Sequence, residues 1–137
     1  MRFVLLPPGA TRPSLVVDTV AAVDGAAAAR LRDALYGLGC STGILFDAQS
    51  CVILRDTFRS MEPSSIVESA RVATREVLRD GDGSEALLDA RVERWLHALS
   101  TDWDHALPLE PGLAAPFLED IVPAASGSVV RALRPAA

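Results

Sequence analysis

The stretch SLVVDTVAAVDGAAAARLRDALYGLGCSTGILFDAQSCVILRD (Ser14–Asp56) decides the fold. It begins with a predicted strand, Ser14–Val20, in which Leu15-Val16-Val17 is a continuous apolar and β-branched run that favours burial on both faces. Asp24 then offers an N-cap for a helix over Ala26–Leu38, and Gly39 suits the left-handed residue that commonly ends a helix. These signals predict a strand followed by a helix that packs on it.

The rest of this stretch predicts a second pair of strands. Apolar residues recur in the helix at spacings of three and four, which gives one buried stripe: Ala28, Leu31, Leu35 and Leu38. Beyond the helix, Thr42–Asp47 and Cys51–Asp56 are rich in Ile, Leu and Val and are joined by a short polar segment. This pattern predicts an antiparallel hairpin whose loop lies at Asp47–Ser50.

The flanking segments predict further elements. Phe3–Leu6 is a short apolar run that ends at Pro7-Pro8-Gly9, because proline lacks the amide donor that a central strand needs. Pro63 in a first helical turn, with Ser65 and Glu68 as a capping box, predicts a second helix ending near Asp80–Gly83. Its buried side would be formed by Ile66, Ala70, Ala73, Val77 and Leu78.

The C-terminal half predicts mainly helix. Asp82 and Glu85 resemble a helix start, and the helix is expected to reach Leu99. Its apolar stripe is Leu88, Val92, Trp95, Leu96 and Leu99. A short helix at Pro116–Val122 and a terminal strand at Ser128–Leu133 complete the prediction.

These elements predict an α/β or α+β fold. We expect a small mixed β-sheet with one packed central helix, followed by C-terminal helices that cover the other side of the sheet. All 137 residues are expected to form a single domain. Within it, residues 1–60 form the sheet-and-helix core and residues 61–137 the mainly helical C-terminal part.

Composition restricts the kinds of partner. The chain is 50% apolar with a mean hydropathy of +0.26, so part of its surface is expected to be covered by a partner or a second copy. Its net charge of −5 argues against broad non-specific binding of nucleic acid, which depends on basic surfaces. All 13 basic charges are arginine, which is typical of a GC-rich, bacterial-like coding composition.

Cysteine usage and hydropathy predict a cytoplasmic protein without a membrane partner. Cys40 and Cys51 form no CxxC motif and are expected to be reduced, buried, small hydrophobes. The apolar run after Met1 is too short for a signal peptide, and no run approaches the roughly 20 residues of a membrane helix. No sequence motif indicates a cofactor.

The opening stretch resembles part of the PD-(D/E)XK nuclease superfamily, the restriction-endonuclease-like proteins. The strand ending in Asp18 is similar to the strand that carries an acid of that family's motif. Arg32 and Tyr36 lie where the family has a helical Gln and Tyr, and Thr42–Phe46 and Val52–Asp56 resemble the paired strands that follow. The resemblance covers about a third of the chain and implies an ancestral nuclease site.

Departures from this pattern predict that the site is vestigial. The family places two carboxylates on a divalent metal and a lysine two residues after the second acid. Here that lysine position is Val20, the chain has no lysine, and Met1–Pro13 contains no Asp or Glu. Asp18, Arg32 and Tyr36 are therefore vestigial candidates, with no catalytic residue expected.

The same three residues have ordinary alternative interpretations. Asp18 could simply begin a solvated loop or pair with a helix dipole. Arg32 could be a solvated helix residue, and Tyr36 a core aromatic with its hydroxyl at the surface.

Other candidate residues lie in the C-terminal half. His97, Asp102, Asp104 and His105 have the side chains of metal ligands, although their spacing matches no established pattern. Asp80–Glu85 resembles a calcium loop but lacks its required glycine and final glutamate, so we expect a turn between helices. Trp95 and Trp103 are expected to anchor the C-terminal segment against the core.

The sequence thus favours a non-catalytic restriction-endonuclease-like domain that acts as a scaffold or protein-interaction module. We expect a homodimer formed through an exposed sheet edge. One alternative is a small acidic inhibitor or immunity-type protein that binds a basic partner. A second is a metal-dependent nuclease whose site is completed by another subunit. The expected partner is the chain itself or another protein; nucleic acid is disfavoured by the net charge.

Overall fold

Six strands form one mixed sheet in this computed structural model, which describes residues 1–79 and 87–133. The strands are β1 (Arg2–Leu6), β2 (Leu15–Thr19), β3 (Thr42–Phe46), β4 (Ser50–Asp56), β5 (Ile66–Ala73) and β6 (Val129–Leu133). Their order across the sheet is β5-β4-β3-β2-β1-β6. β2 and β3 are parallel, and all the other neighbouring pairs are antiparallel. The predicted α/β fold with a mixed sheet is confirmed.

Helices lie on both faces of this sheet. They are α1 (Gly25–Leu38), α2 (Thr74–Val77), α3 (Leu88–Thr101), α4 (Trp103–Ala106), α5 (Pro111–Pro116) and α6 (Val122–Ala125). A 3₁₀ turn at Pro63–Ser65 precedes β5, and a wide π turn at Phe117–Ile121 joins α5 to α6. Pro123 has no amide hydrogen for the carbonyl of Glu119, which favours a widened turn at this point. No described helix is both long and apolar enough to cross a membrane.

Helix α1 forms the crossover between the parallel strands β2 and β3. The Asp24 carboxylate accepts the amide hydrogen of Ala27 at 2.8 Å, and Gly39 ends the helix with φ 65°. Leu31 and Leu35 are buried against the sheet as predicted, whereas Leu38 is 38% exposed and the prediction for it is wrong. A 14-residue helix is about 21 Å long and a five-residue strand about 17 Å, so the last turn of α1 extends past the sheet.

The sheet separates two apolar cores. Strand residues on the α1 face are Val4, Val16, Leu45, Val52, Leu54 and Ile66. The opposite face packs against α3 and the C-terminal turns through Phe3, Leu5, Leu15, Val17, Ile44, Phe46 and Ile53. The α3 stripe is buried as predicted, and Trp95 lies edge-on between Phe46 and Phe117, with ring centroids at 5.5 and 6.1 Å. Trp95 is the predicted anchor; Trp103 is partly exposed on α4.

The predicted second helix is wrong. Residues Ile66–Ala73 instead form β5, which pairs antiparallel with β4, and only Thr74–Val77 is helical. The capping box does not form, because the Ser65 hydroxyl donates to Asp56 Oδ1 at 2.7 Å. Pairing with β4 thus outweighs the helical spacing of the apolar residues, as tertiary context commonly does.

The remaining predictions downstream are confirmed in outline. Strand β6 occupies the predicted terminal strand and pairs with β1. The short helix expected at Pro116–Val122 is part of a longer series of turns from Pro111 to Ala125. The predicted turn Asp80–Glu85, including the end of the second helix and the start of the third, lies outside the described residues.

Candidate functional site

Asp18 forms a bidentate ion pair with Arg2. The antiparallel register of β1 and β2 places the two residues directly opposite each other, on the face that also carries Val4 and Val16. Arg2 Nε donates to Asp18 Oδ1 at 2.7 Å and Arg2 Nη2 to Oδ2 at 2.8 Å. Because Asp18 is only 7% exposed, it is not the solvated loop residue of the alternative interpretation. The hydrogen bonds from Arg2 to Asp18 raise the pKa of the Arg2 guanidinium above its ordinary value.

No second carboxylate joins Asp18 among the described residues. Thr19, the residue after Asp18, donates a hydrogen bond from its hydroxyl to the carboxylate of Asp89, which lies in the first turn of α3. Side chains of successive strand residues point to opposite faces, so Asp89 lies on the other side of the sheet from Asp18. Val20, at the family's lysine position, is partly buried against the α1-side core. The metal-binding pair of a nuclease is therefore not formed by these groups.

The Asp18 ion pair lies in a shallow cleft of about 360 Å³. Arg30 from α1 and Leu133 from β6 also line this cleft. Two guanidinium groups thus accompany one carboxylate, which gives the cleft a local positive charge in an otherwise acidic chain. A divalent cation prefers several oxygen ligands, and this arrangement opposes one.

Arg32 and Tyr36 do not join Asp18. Arg32 Nε donates to the backbone carbonyl of Ile66 at 2.8 Å, which ties α1 to the start of β5. Strands β3 and β4 separate β5 from the strand of Asp18. Tyr36 is 56% exposed, so the interpretation as a core aromatic is wrong, and Arg32 is a structural tether rather than a solvated residue. The three vestigial candidates form no common site.

Three of the four predicted metal-ligand candidates lie together. Ligand atoms of Asp102, Asp104 and His105 are all within 4.8 Å of one another, and His97 is not part of this group. His105 Nδ1 lies 2.9 Å from Asp102 Oδ1 and 3.3 Å from Asp104 Oδ1. Hydrogen bonding to Asp102 raises the pKa of His105, and the same contact lowers the pKa of Asp102. The exposed group therefore favours a protonated imidazole held by two carboxylates, and metal binding there stays a prediction.

A second cleft, which no sequence signal predicted, opens beside α3. It has a volume of about 330 Å³, with apolar walls from Val77, Trp95 and Ala106 and charged residues Arg79 and Arg94. Trp95 donates its indole hydrogen to the carbonyl of Ala106 at 2.9 Å, which holds α4 against α3. The volume is at the lower end of the range for small-molecule sites.

Comparison of the chain with family models, curated proteins and solved structures finds no match. The resemblance to the PD-(D/E)XK superfamily therefore rests on the residues quoted above and stays a prediction. A mixed sheet with a crossover helix is compatible with many functions, so the function has to be argued from individual sites.

Proposed function

We propose that the chain is a non-catalytic, restriction-endonuclease-like interaction module that acts as a homodimeric scaffold. One observation carries the non-catalytic part of this proposal: the bidentate ion pair between Arg2 and Asp18. The residue opposite Asp18 on the neighbouring strand is the cation Arg2. A metal site would instead need a second carboxylate close to Asp18.

The chemistry of phosphodiester hydrolysis explains why this ion pair matters. Metal-dependent nucleases activate water and stabilise the developing charge through a divalent ion held by carboxylates. Arg2 donates one hydrogen bond to each Asp18 oxygen, so fewer lone pairs are free for such an ion, and the guanidinium charge beside them repels it. Val20 supplies no proton donor or acceptor from its side chain.

Two exposed apolar surfaces support an interaction role. Strand β6 forms an edge of the sheet and exposes Val129 and Leu133. The opposite edge, β5, carries an ion pair between Glu68 and Arg71 at 2.6 Å and a bulge opposite Ile53/Leu54, both of which discourage strand addition. The other surface is formed by large side chains on α1 and on the connection between β4 and β5.

A cytoplasmic location is part of the proposal. Cys40 and Cys51 are both free and buried, as expected from the sequence. Burial raises the pKa of both thiols, which favours the unreactive, protonated form. Such cysteines fit a reducing compartment.

A cleavage assay tests the non-catalytic part. Plasmid and single-stranded DNA would be incubated with the wild-type protein and with Asp18→Ala in Mg²⁺ or Mn²⁺. We expect no cleavage by either protein. Cleavage by the wild type that Asp18→Ala abolishes would overturn the proposal and favour a nuclease whose site is completed by another subunit.

A further inference from the structure

Large apolar side chains are concentrated at one end of the sheet. Five of the eleven exposed large hydrophobic residues in the described part of the chain lie on the last turn of α1, the β4–β5 connection and the start of β5. We call this surface the apolar end; it consists of Tyr36, Leu38, Phe58, Met61 and Val67. Phe58 and Met61 are 76% and 88% exposed. Groups of this kind mark interaction sites more often than isolated exposed residues do.

The elements that carry these side chains are held together. Helix α1 packs against the 3₁₀ turn Pro63–Ser65. Arg32, one helical turn before Tyr36, donates a hydrogen bond to the Ile66 carbonyl. At the sheet, the Asp56 amide donates to the Ser41 carbonyl at 2.9 Å, which joins the end of β4 to the connection after α1. The elements that carry the five side chains are therefore joined at one end of the sheet. There, Val67 lies on the sheet face opposite α1, since its neighbour Ile66 faces α1.

The β4–β5 connection presents Phe58 in a strained and well-supported conformation. Phe58 has φ 57°, which is unusual for a residue with a bulky side chain, and no other described residue except glycine has a positive φ. The base of the loop is closed by Thr57, whose amide and hydroxyl donate to the Ser65 carbonyl at 2.9 and 2.7 Å. Asp56 Oδ1 accepts the Phe58 amide hydrogen at 2.8 Å. Strain that the surroundings maintain around an exposed aromatic ring indicates a functional constraint.

We propose that the apolar end is the surface through which two copies of this chain associate. This inference rests on the proposed homodimeric scaffold and locates its interface. Two copies related by a two-fold axis would bury Phe58 and Met61 of each chain against the same region of the other.

Charge and area favour a second copy as the occupant. The exposed loop carries one cation, Arg59, and one anion, Glu62, so it is not complementary to a strongly basic or strongly acidic partner. In a two-fold arrangement, Arg59 of each copy can face Glu62 of the other. The five side chains offer on the order of 500 Å² of exposed surface, against roughly 800 Å² per partner in a standard interface. Flanking residues need to supply only the remainder.

The β6 edge is less suited to self-association. A two-fold pairing that uses the whole of β6 is centred on Arg131, the middle residue of the strand. It would place the Arg131 side chains of the two copies opposite each other, and like charges in directly opposed positions destabilise a strand pair. Of the two surfaces, the apolar end is therefore better suited to joining two copies.

Sedimentation equilibrium of matched variants tests this assignment. The loop variant Phe58→Ser/Met61→Ser removes the two most exposed side chains of the apolar end. The control, Val129→Ser/Leu133→Ser, removes two exposed apolar side chains from the β6 edge. We expect the wild type and the edge variant to dimerise equally, and the loop variant to dimerise at least about tenfold more weakly. Far-UV circular dichroism would verify that both variants are folded.

Two further measurements test the role of the Phe58 conformation and the effect of net charge on dimerisation. Phe58→Gly should raise the melting temperature of the monomer, because glycine adopts positive φ without strain, and should also weaken the dimer. Since each chain carries a net charge of −5, dimerisation should strengthen when salt is raised from about 50 to about 500 mM.

Each contrary result has a separate meaning. Dimerisation that survives in the loop variant but is lost in the edge variant would overturn this inference and leave the homodimeric scaffold standing. A wild-type protein that is monomeric at about 100 μM would overturn both. DNA cleavage dependent on Asp18 would overturn the non-catalytic function without bearing on the interface.

Discussion

Replacing Arg2 by methionine should destabilise the protein because it leaves the Asp18 carboxylate buried without its partner. The Asp18 side chain is 9% exposed, whereas that of Arg2 is 33% exposed. Removing one member of a fully buried ion pair costs about 3–5 kcal/mol, and partial access of water lowers this to about 2 kcal/mol here. Asp18→Asn should cost only about 1 kcal/mol, because the long Arg2 side chain can turn its charge to solvent.

Urea unfolding followed by tryptophan fluorescence measures these differences, since Trp95 is buried in the core. We expect Arg2→Met to lose about 2 kcal/mol of unfolding free energy and Asp18→Asn about half as much, because only the first leaves a buried charge without its partner. Equal losses in the two variants would refute this account of the ion pair.

Three other predictions follow from local geometry. Gly43→Ala should cost about 1–3 kcal/mol, because the new methyl group would lie 2.9 Å from Leu35 Cδ1; Gly37→Ala, with open space around it in α1, should instead stabilise by about 0.5–1 kcal/mol. The reverse order of the two unfolding midpoints would contradict this packing. Burial opposes the charge of Asp47, but hydrogen bonds from the Val23, Ser50 and Gln49 amides outweigh it and lower the pKa of Asp47. Asp47→Ala should therefore lower the melting temperature above about pH 4, the ordinary pKa of Asp, and the difference should vanish as pH falls through the lower, folded-state pKa; a constant difference would exclude this cause. Finally, Cys40 and Cys51 should react with Ellman's reagent only on unfolding, because burial raises the pKa of both thiols; rapid reaction of the native protein would show that one is accessible.

Local signals account for the elements that could be predicted from the sequence. Asp24 and Gly39 define helix α1 through contacts within a few residues of each end. The continuous apolar run of β2 and the helical spacing of the α3 stripe are likewise local signals. The prediction that Leu38 is buried is wrong because the spacing of apolar residues does not show that the helix is longer than the strands it packs on.

Non-local contacts account for what the sequence could not predict. Pairing of β5 with β4 overrides the helical spacing over Ile66–Ala73, and only Thr74–Val77 is helical. The Arg2–Asp18 ion pair depends on the register of β1 against β2, which places the two residues opposite each other. Asp89 reaches Thr19 only because α3 packs across the sheet. The sequence shows that residue 18 is an acid, but it does not show that Arg2 is its ion-pair partner.

The molar mass of the purified protein, measured by light scattering over a range of concentrations, tests the central claim of a self-associating module most directly. The monomer mass is 14.5 kDa. We predict a mass approaching twice that value in the wild type as concentration rises, with the monomer mass retained in Phe58→Ser/Met61→Ser. A mass of 14.5 kDa for the wild type at every concentration would contradict the account.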